Sequence, residues 1–393
     1  MNLPMQLITI LIIMYSINHL QKHTYYALFD PFNFFPFNFG IYNNMSNTRS
    51  ASLRQRLRLL TLASSLFAAY VLPASAAESL TLYTTREPGL IQPLLEAFTK
   101  DTGVKVDTVF IKDGMLERVK AEGQNSPADL LMTVDAGNLI DLVEAGVTQP
   151  VQSSTLNEVI PANLRDKDNQ WFSLSMRARV LYAEKALPLT SFTYEDLADP
   201  KWKGKVCLRA GQHPYNTALI AAMIAHHGEA QTETWLRGVK TNLARKATGG
   251  DRDVARDILG GICDIGLANS YYVGHMKNAK EGSDARKWGD AIKVIKPEFA
   301  DGGTHVNISG ASVARYAPHK DQAVKLLEYL VSAPAQQLYA KANYEYPVRK
   351  GVTLDPIIGD TIGELNVDKI PLTEIVKYRN QASKLVDKVG FDQ

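Results

Sequence analysis

Three phenols pose the first chemical question in this 393-residue chain. Tyr215 lies in GQHPYN (211–216), and Tyr271 and Tyr272 are adjacent in ANSYYVG (268–274). A phenolate is a hard anionic oxygen and suits a hard cation. A free phenol ionises near pH ~10, so only a highly charged metal would ionise three of them at neutral pH. Ferric iron carries that charge, and three phenolates would neutralise it while leaving about half of its coordination positions for an anion or water. Calcium or magnesium would prefer carboxylates and carbonyls, and these segments offer no cluster of carboxylates. Spacing alone leaves open the commoner alternative, tyrosines packed on aromatic faces with their hydroxyls in water.

Other reactive sets are missing from the sequence. It holds no G-x-S-x-G elbow, no phosphate-binding Walker loop, no H-E-x-x-H and no C-x-x-C. A hydrolase would need a general base such as Asp135 or Glu87, and no nucleophile stands at a credible spacing from either. The adjacent His226 and His227 end the apolar run TALIAAMIA (217–225), just before Gly228. Neighbours on a helix point about 100° apart, so the pair fits a helix C-terminus better than a shared metal. The rival ligand is a small organic cation, a sugar phosphate or an oxyanion held by cleft aromatics.

These tyrosines need a scaffold, and the chain alternates strand and helix from residue 79 onward. SLTLYTT (79–85), a helix after Pro88 carrying Leu90, Ile91, Leu94, Leu95 and Phe98, and VKVDTVF (104–110) make a βαβ unit, hence a parallel sheet. A helix near 115–121, the strand ADLLMT (128–133) and a helix near 138–145 continue the pattern. GKVCL (204–208) and ICDIGLA (262–268) read as strands separated by helices near 216–227 and 229–240. WFSLSMRARVLY (171–182) and HVNISGASVARY (305–316) both look extended, and if they pair, they join two α/β lobes without a tether. The expected division is residues 77–176 plus 307–350 in lobe one and 177–306 plus 351–393 in lobe two.

Composition sets the broad class. With 45% hydrophobic and 21% charged residues the chain reads as a globular protein, and a net charge of +2 with no long run of like charge argues against nucleic acid. Residues 45–76 have the order of a secretory signal: Arg49, Arg54, Arg56 and Arg58, then LLTLASSLFAAYVL (59–72), then Ala74, Ser75, Ala76. Residues 1–44 fit no part of that scheme and are expected to be a mis-called extension, with Met45 as the start. In an exported chain the two cysteines, Cys207 and Cys263, favour one disulfide contributing roughly 3 to 4 kcal/mol, with two buried thiols as the alternative. Such a bridge would tie the strand before Tyr215 to the strand before Tyr271, bringing both loops to one end of a sheet, where open α/β sheets place ligands.

LTLYTTRE (80–87), SPADLLMT (126–133), GKVC (204–207) followed by HPYN (213–216), and NSYY (269–272) together resemble the periplasmic ferric-iron-binding proteins of bacterial iron ABC importers, often called bacterial transferrins. The resemblance implies a two-lobed type II periplasmic binding fold, α/β in class, closing on Fe3+ in a cleft between lobes joined by hinge strands. It implies that Tyr215, Tyr271 and Tyr272 bind the iron, with a carbonate or similar anion completing the site and no catalysis. Many members carry a histidine near the first strand, where this chain has Glu87, and some use a glutamate after Pro-Ala-Asp, where it reads TVD (133–135). The likeness is therefore to the subgroup that relies on tyrosines plus an anion. There an arginine of S-x-R-x-R binds the anion, Arg177 being the first candidate and Arg179 the second; a bidentate guanidinium suits carbonate, and pairing with surface carboxylates is the alternative. Tyr83 is a candidate further phenol and Glu87 a candidate further ligand or near neighbour, unless Glu87 simply pairs with Arg86. The resemblance further implies an inner-membrane ABC permease as partner, the signal segment implies the periplasm, and with no interface signature in the sequence a monomer is the default expectation.

Overall fold

The computed structural model describes residues 78–393, so the expectations for residues 1–44 and 45–76 fall outside the described residues. Strand β1 (Ser79–Thr84), helix α1 (Pro88–Thr102) and strand β2 (Lys105–Phe110) form the expected unit, with β1 and β2 parallel. Proline in the first turn of α1 has no N–H to leave unpaired, and Gly103, at φ 75°, ends the helix in the left-handed region. Helix α2 (Met115–Glu122) leads to β3 (Leu130–Thr133), parallel to β1, and then to α3 (Ala136–Glu144). The Asp135 carboxylate caps α3 by accepting the Asn138 N–H at 3.2 Å. A short strand β4 (Thr148–Gln149) and helix α4 (Ser154–Val159) precede the long strand β5 (Phe172–Glu184).

The second part begins with β6 (Val206–Cys207), α5 (Pro214–His227), α6 (Glu229–Asn242) and α7 (Asp251–Leu259), followed by β7 (Ile265–Asn269). Helix α8 (Tyr271–Lys277), α9 (Asp284–Ala291) and β8 (Ile292–Ile295) come next, and β9 (Val306–Ala314) returns to the first part. The chain closes with α10 (Lys320–Leu330), α11 (Ala333–Asn343), β10 (Tyr346–Pro347), α12 (Pro356–Thr361), α13 (Leu372–Val376) and α14 (Arg379–Val389). Strand order is β2-β1-β3-β9-β5-β7-β6. Helix α5 is apolar all round because it is buried, with α6, α13 and α14 packed on it.

The two long strands do pair, and they run antiparallel, while β5 changes partners along its length. Phe172 to Ala178 pair with β9, and Arg179 to Ala183 pair with β7. The changeover falls between Ala178, opposite Val306, and Arg179, opposite Asn269. Cys207 and Cys263 form a disulfide with Cα atoms 5.9 Å apart, beside the parallel pair of β6 and β7. Among the described residues no helix is long and apolar enough to cross a membrane.

His226 and His227 take separate acidic partners rather than serving only the helix terminus. His226 meets Asp301 at 2.8 Å and Asp368 at 2.9 Å, and His227 meets Glu195 at 2.6 Å. His305, immediately before β9, sits nearby and is 3% exposed. Burial is the main cause that pushes its imidazole down to about 4; Asp368 opposes the shift, while Arg179, His226 and Arg177 add to it. The unfolded chain therefore takes up this proton first as pH falls, and the folded state loses about 3 kcal/mol between pH ~6.5 and pH ~4. Urea denaturation of His305→Gln beside the parent at pH 7 and pH 4.5 should show the parent losing more stability on acidification; equal losses would show that His305 does not titrate in this window.

Candidate metal centre

Strands β6 and β7 run parallel, and the segments leaving their C-terminal ends carry the three tyrosines. Tyr215 occupies the first turn of α5 after Pro214, where the His213 ring caps the helix by accepting the Tyr215 N–H on Nδ1 at 3.2 Å. Tyr271 and Tyr272 open α8 directly after β7. Ser270, between them and the strand, donates its N–H to the Ala178 carbonyl at 2.9 Å and accepts the Ala178 N–H on Oγ at 3.1 Å. The tyrosine pair is thereby fixed to the changeover point of β5.

The phenols converge. Tyr215 Oη lies 3.4 Å from Tyr271 Oη, and the rings of Tyr271 and Tyr272 have centroids 4.3 Å apart. All three line a cavity of about 420 Å³ together with Arg177, Glu87, Arg252, His275 and Glu345. Burial raises the Tyr271 phenol well above its ordinary range, and the neighbouring Tyr215 and Tyr272 raise it further. Burial likewise raises Tyr272. Burial is the main cause in both, because it disfavours the charged phenolate, and the neighbouring phenols add to it at Tyr271.

Positive charge surrounds the phenols. The Arg177 guanidinium lies 5.6 Å from the Tyr215 ring centre, Arg209 lies 4.9 Å from it, and Arg252 lies 5.6 Å from that of Tyr272. Arg177 is 3% exposed; its Nη2 donates to the Val134 carbonyl, while its Nη1 is buried with no hydrogen-bond partner among the described residues. Arg177 lines the cavity, and a guanidinium with a donor left over suits an anion oxygen there. Among the described residues no group of three or more histidine, cysteine or acidic side chains could hold a metal.

Two expected site residues are elsewhere. Arg179 is not on the cavity: its guanidinium is spent on Asp251 at 2.7 Å and on Asn216 at 2.8 Å, because the changeover turns it into the second part of the sheet. Tyr83 is fully buried, its hydroxyl donates to Glu122 at 2.9 Å beneath the Arg118 guanidinium, and it does not line the cavity. Arg86 pairs with Glu345 at 2.9 Å rather than with Glu87, which stays exposed at the cavity. Asp135 is held by Asn138 and by the Asn307 amide at 2.8 Å, and it does not line the cavity. Sequence reading missed Arg252, His275, Asn343 and Glu345, which carry no motif and come together only in three dimensions.

A family model described as bacterial extracellular solute-binding protein matches residues 125–369, and the chain belongs to that family. The chain is similar to iron uptake protein A2 of Synechocystis sp., 38% identical over 322 residues, covering 81% of this chain and 91% of that protein. A Bordetella ferric binding protein matches with a TM-score of 0.78 and 73% identity over 80% of this chain and 100% of that one. A Trichodesmium protein in complex with iron and citrate matches with a TM-score of 0.76 and 43% identity over 80% of this chain and 99% of that one. The resemblance read from the tyrosine and strand motifs is thus borne out, and the fold is the two-lobed periplasmic binding fold with hinge strands between its lobes.

Gly274 shows how closely α8 is packed. A Cβ there would run into the Tyr344 ring, which also meets the His275 ring edge-on at 4.9 Å. Gly274→Ala is expected to cost about 1–3 kcal/mol by overpacking, read by urea denaturation. A parent-like midpoint would show that Tyr344 yields without strain.

Proposed function

We propose that this protein captures ferric iron outside the inner membrane and delivers it to an ABC permease. The observation that carries the reading is the convergence of Tyr215, Tyr271 and Tyr272 on one cavity, with two phenol oxygens 3.4 Å apart. Three phenolates supply three negative charges and no carboxylate cluster competes, which suits a trivalent hard cation. Arg177 holds a carbonate-like anion on its unpaired Nη1, and that anion fills coordination positions left by the phenols. Glu87 lies at the cavity as a candidate further ligand, whereas Tyr83 and Arg179 do not. The iron-related relatives support the cargo, and the family description supports a location beyond the cytoplasm. The permease partner follows from how such receptors work, and a single copy of the chain suffices for the site.

Capture works by closure. Residues 77–176 with 307–350 form one lobe, and 177–306 with 351–393 the other; the partner change in β5 and the packing of α13 and α14 on α5 support this division. The tyrosines belong to the second lobe, and Glu87 and Val134 approach from the first. Ferric iron displaces the phenol protons, the anion bridges it to Arg177, and bending of β5 and β9 closes the lobes.

Protein incubated with ferric citrate and desalted should be coloured and hold about one iron per chain. A colourless, iron-free product that instead retains an organic cation or oxyanion would replace this reading. Because up to three protons leave on binding, affinity rises with pH, and acid titration of the loaded protein should bleach the phenolate-to-iron band. A band that survives acid unchanged counts against phenolate ligation. Tyr271→Phe with Tyr272→Phe should weaken iron binding by more than the ~10- to 100-fold that loss of an outer-shell partner costs, measured by competition with citrate.

A further inference from the structure

Beneath the tyrosines lies a buried ionic group that contacts no cavity. Asp251, the first residue of α7, is 1% exposed. Its Oδ2 accepts from Arg179 Nη1 at 2.7 Å and from the Asn269 backbone N–H at 2.7 Å, and its Oδ1 accepts from Arg209 Nη1 at 3.1 Å. Asn269 ends β7, two residues before Tyr271. Arg209 lies on the segment leading to Tyr215 and covers that ring at 4.9 Å. Arg179 passes the connection on, since its Nη2 donates to Asn216 Oδ1 at 2.8 Å and the Asn216 amide donates to the carbonyls of Arg209 and Ala210 at 3.0 and 3.1 Å.

We propose that Asp251 is the positioning residue of the tyrosine site: one carboxylate holds the origins of both tyrosine-bearing segments and the hinge strand in register. The inference rests on the reading that the three phenols bind ferric iron. Two arrangements follow from the contacts. Asp251 touches the β7 end, the Arg209 segment and β5, and Arg179 reinforces the link by also donating to Asn269 Oδ1 at 3.2 Å, so the gap between Tyr215 and Tyr271 rests on this carboxylate and the guanidinium it holds. It also sets charge, because two guanidiniums against one carboxylate leave a single net positive charge under the phenols. That charge favours phenolate without matching the repulsion that a second unopposed guanidinium would exert on a trivalent cation. The α7 N-terminus adds to the preference for a carboxylate at this position.

A carboxylate that only stabilised the fold would behave differently, and Asp257 supplies the comparison. It sits on the same helix, is 2% exposed, and pairs with Arg245 at 2.6 Å and Arg256 at 2.9 Å, away from the cavity. Asp251→Asn and Asp257→Asn should both lower stability, since each removes the charge of a buried carboxylate that accepts from two arginines. Only Asp251→Asn should weaken ferric binding, by about 10- to 100-fold in citrate competition well below the unfolding temperature. It should also move the charge-transfer band to shorter wavelength, because extra positive charge lowers the energy of the phenolate electrons. Arg179→Lys keeps the charge but cannot reach Asp251 and Asn216 together, and is expected to lose about tenfold, which provides the test if Asp251→Asn does not fold. Equal affinity and an unchanged band in these variants and in Asp257→Asn would overturn the proposal while leaving iron binding intact. Failure of the parent protein to bind iron would instead overturn the functional reading itself.

Discussion

Strand β5 has to satisfy its backbone in two sheets at once. Its groups are buried, so each N–H and C=O needs a partner, and no single neighbour runs its full length. The first stretch bonds to β9 and the second to β7, and the partner change leaves Ala178 to be completed by Ser270. That reciprocal pair of bonds makes the hinge and the tyrosine helix one piece of backbone. Bending at the changeover can move the first lobe while Tyr271 and Tyr272 stay with the second.

Charge is arranged around the same point. Arg86 is matched by Glu345, Arg179 and Arg209 share Asp251, and Tyr83 lies in a separate cluster with Glu122 and Arg118. Arg177 and Arg86 both line the cavity, and each has one buried guanidinium nitrogen without a partner among the described residues, Nη1 of Arg177 and Nε of Arg86. Burying a guanidinium nitrogen without an acceptor is costly, and at the cavity a ligand oxygen would offset that cost. The phenols thus stand against arginines whose donors are not all used.

Much of this was legible in the chain. Alternating strand and helix patterns, proline at helix starts and glycine at their ends placed β1 to β3, α1 to α3, β5 to β7, α5, α6 and β9 to within a few residues, because those signals are local, whereas α7, α9 and the helices after residue 319 went unread. The disulfide followed from a count of two cysteines and an export-like leader, and it correctly tied the two tyrosine segments. The partners of the arginines were not legible. Arg177 and Arg179 share one face of a strand by period, yet the partner change in β5 sends one to the cavity and the other to Asp251. Arg86 finds Glu345 across 259 positions of sequence, and Tyr83 turns to Glu122 within its own lobe. Periodicity reports which face a residue occupies and says nothing of which distant group waits there.

The phenol cluster also explains why, on the proposed reading, phenols serve better than carboxylates for a cation of high charge. Carboxylates crowded as closely as these phenols would stay partly ionised at neutral pH and would accept divalent ions at little cost. Buried phenols stay protonated, as the raised Tyr271 and Tyr272 require, so a cation must be able to expel their protons before it can bind. A divalent ion gains too little from three phenolates to do so, whereas a trivalent ion gains enough to neutralise all three. On the proposed reading, discrimination arises from the difficulty of ionising the ligands, since burial raises Tyr271 and Tyr272 and the neighbouring phenols raise Tyr271 further.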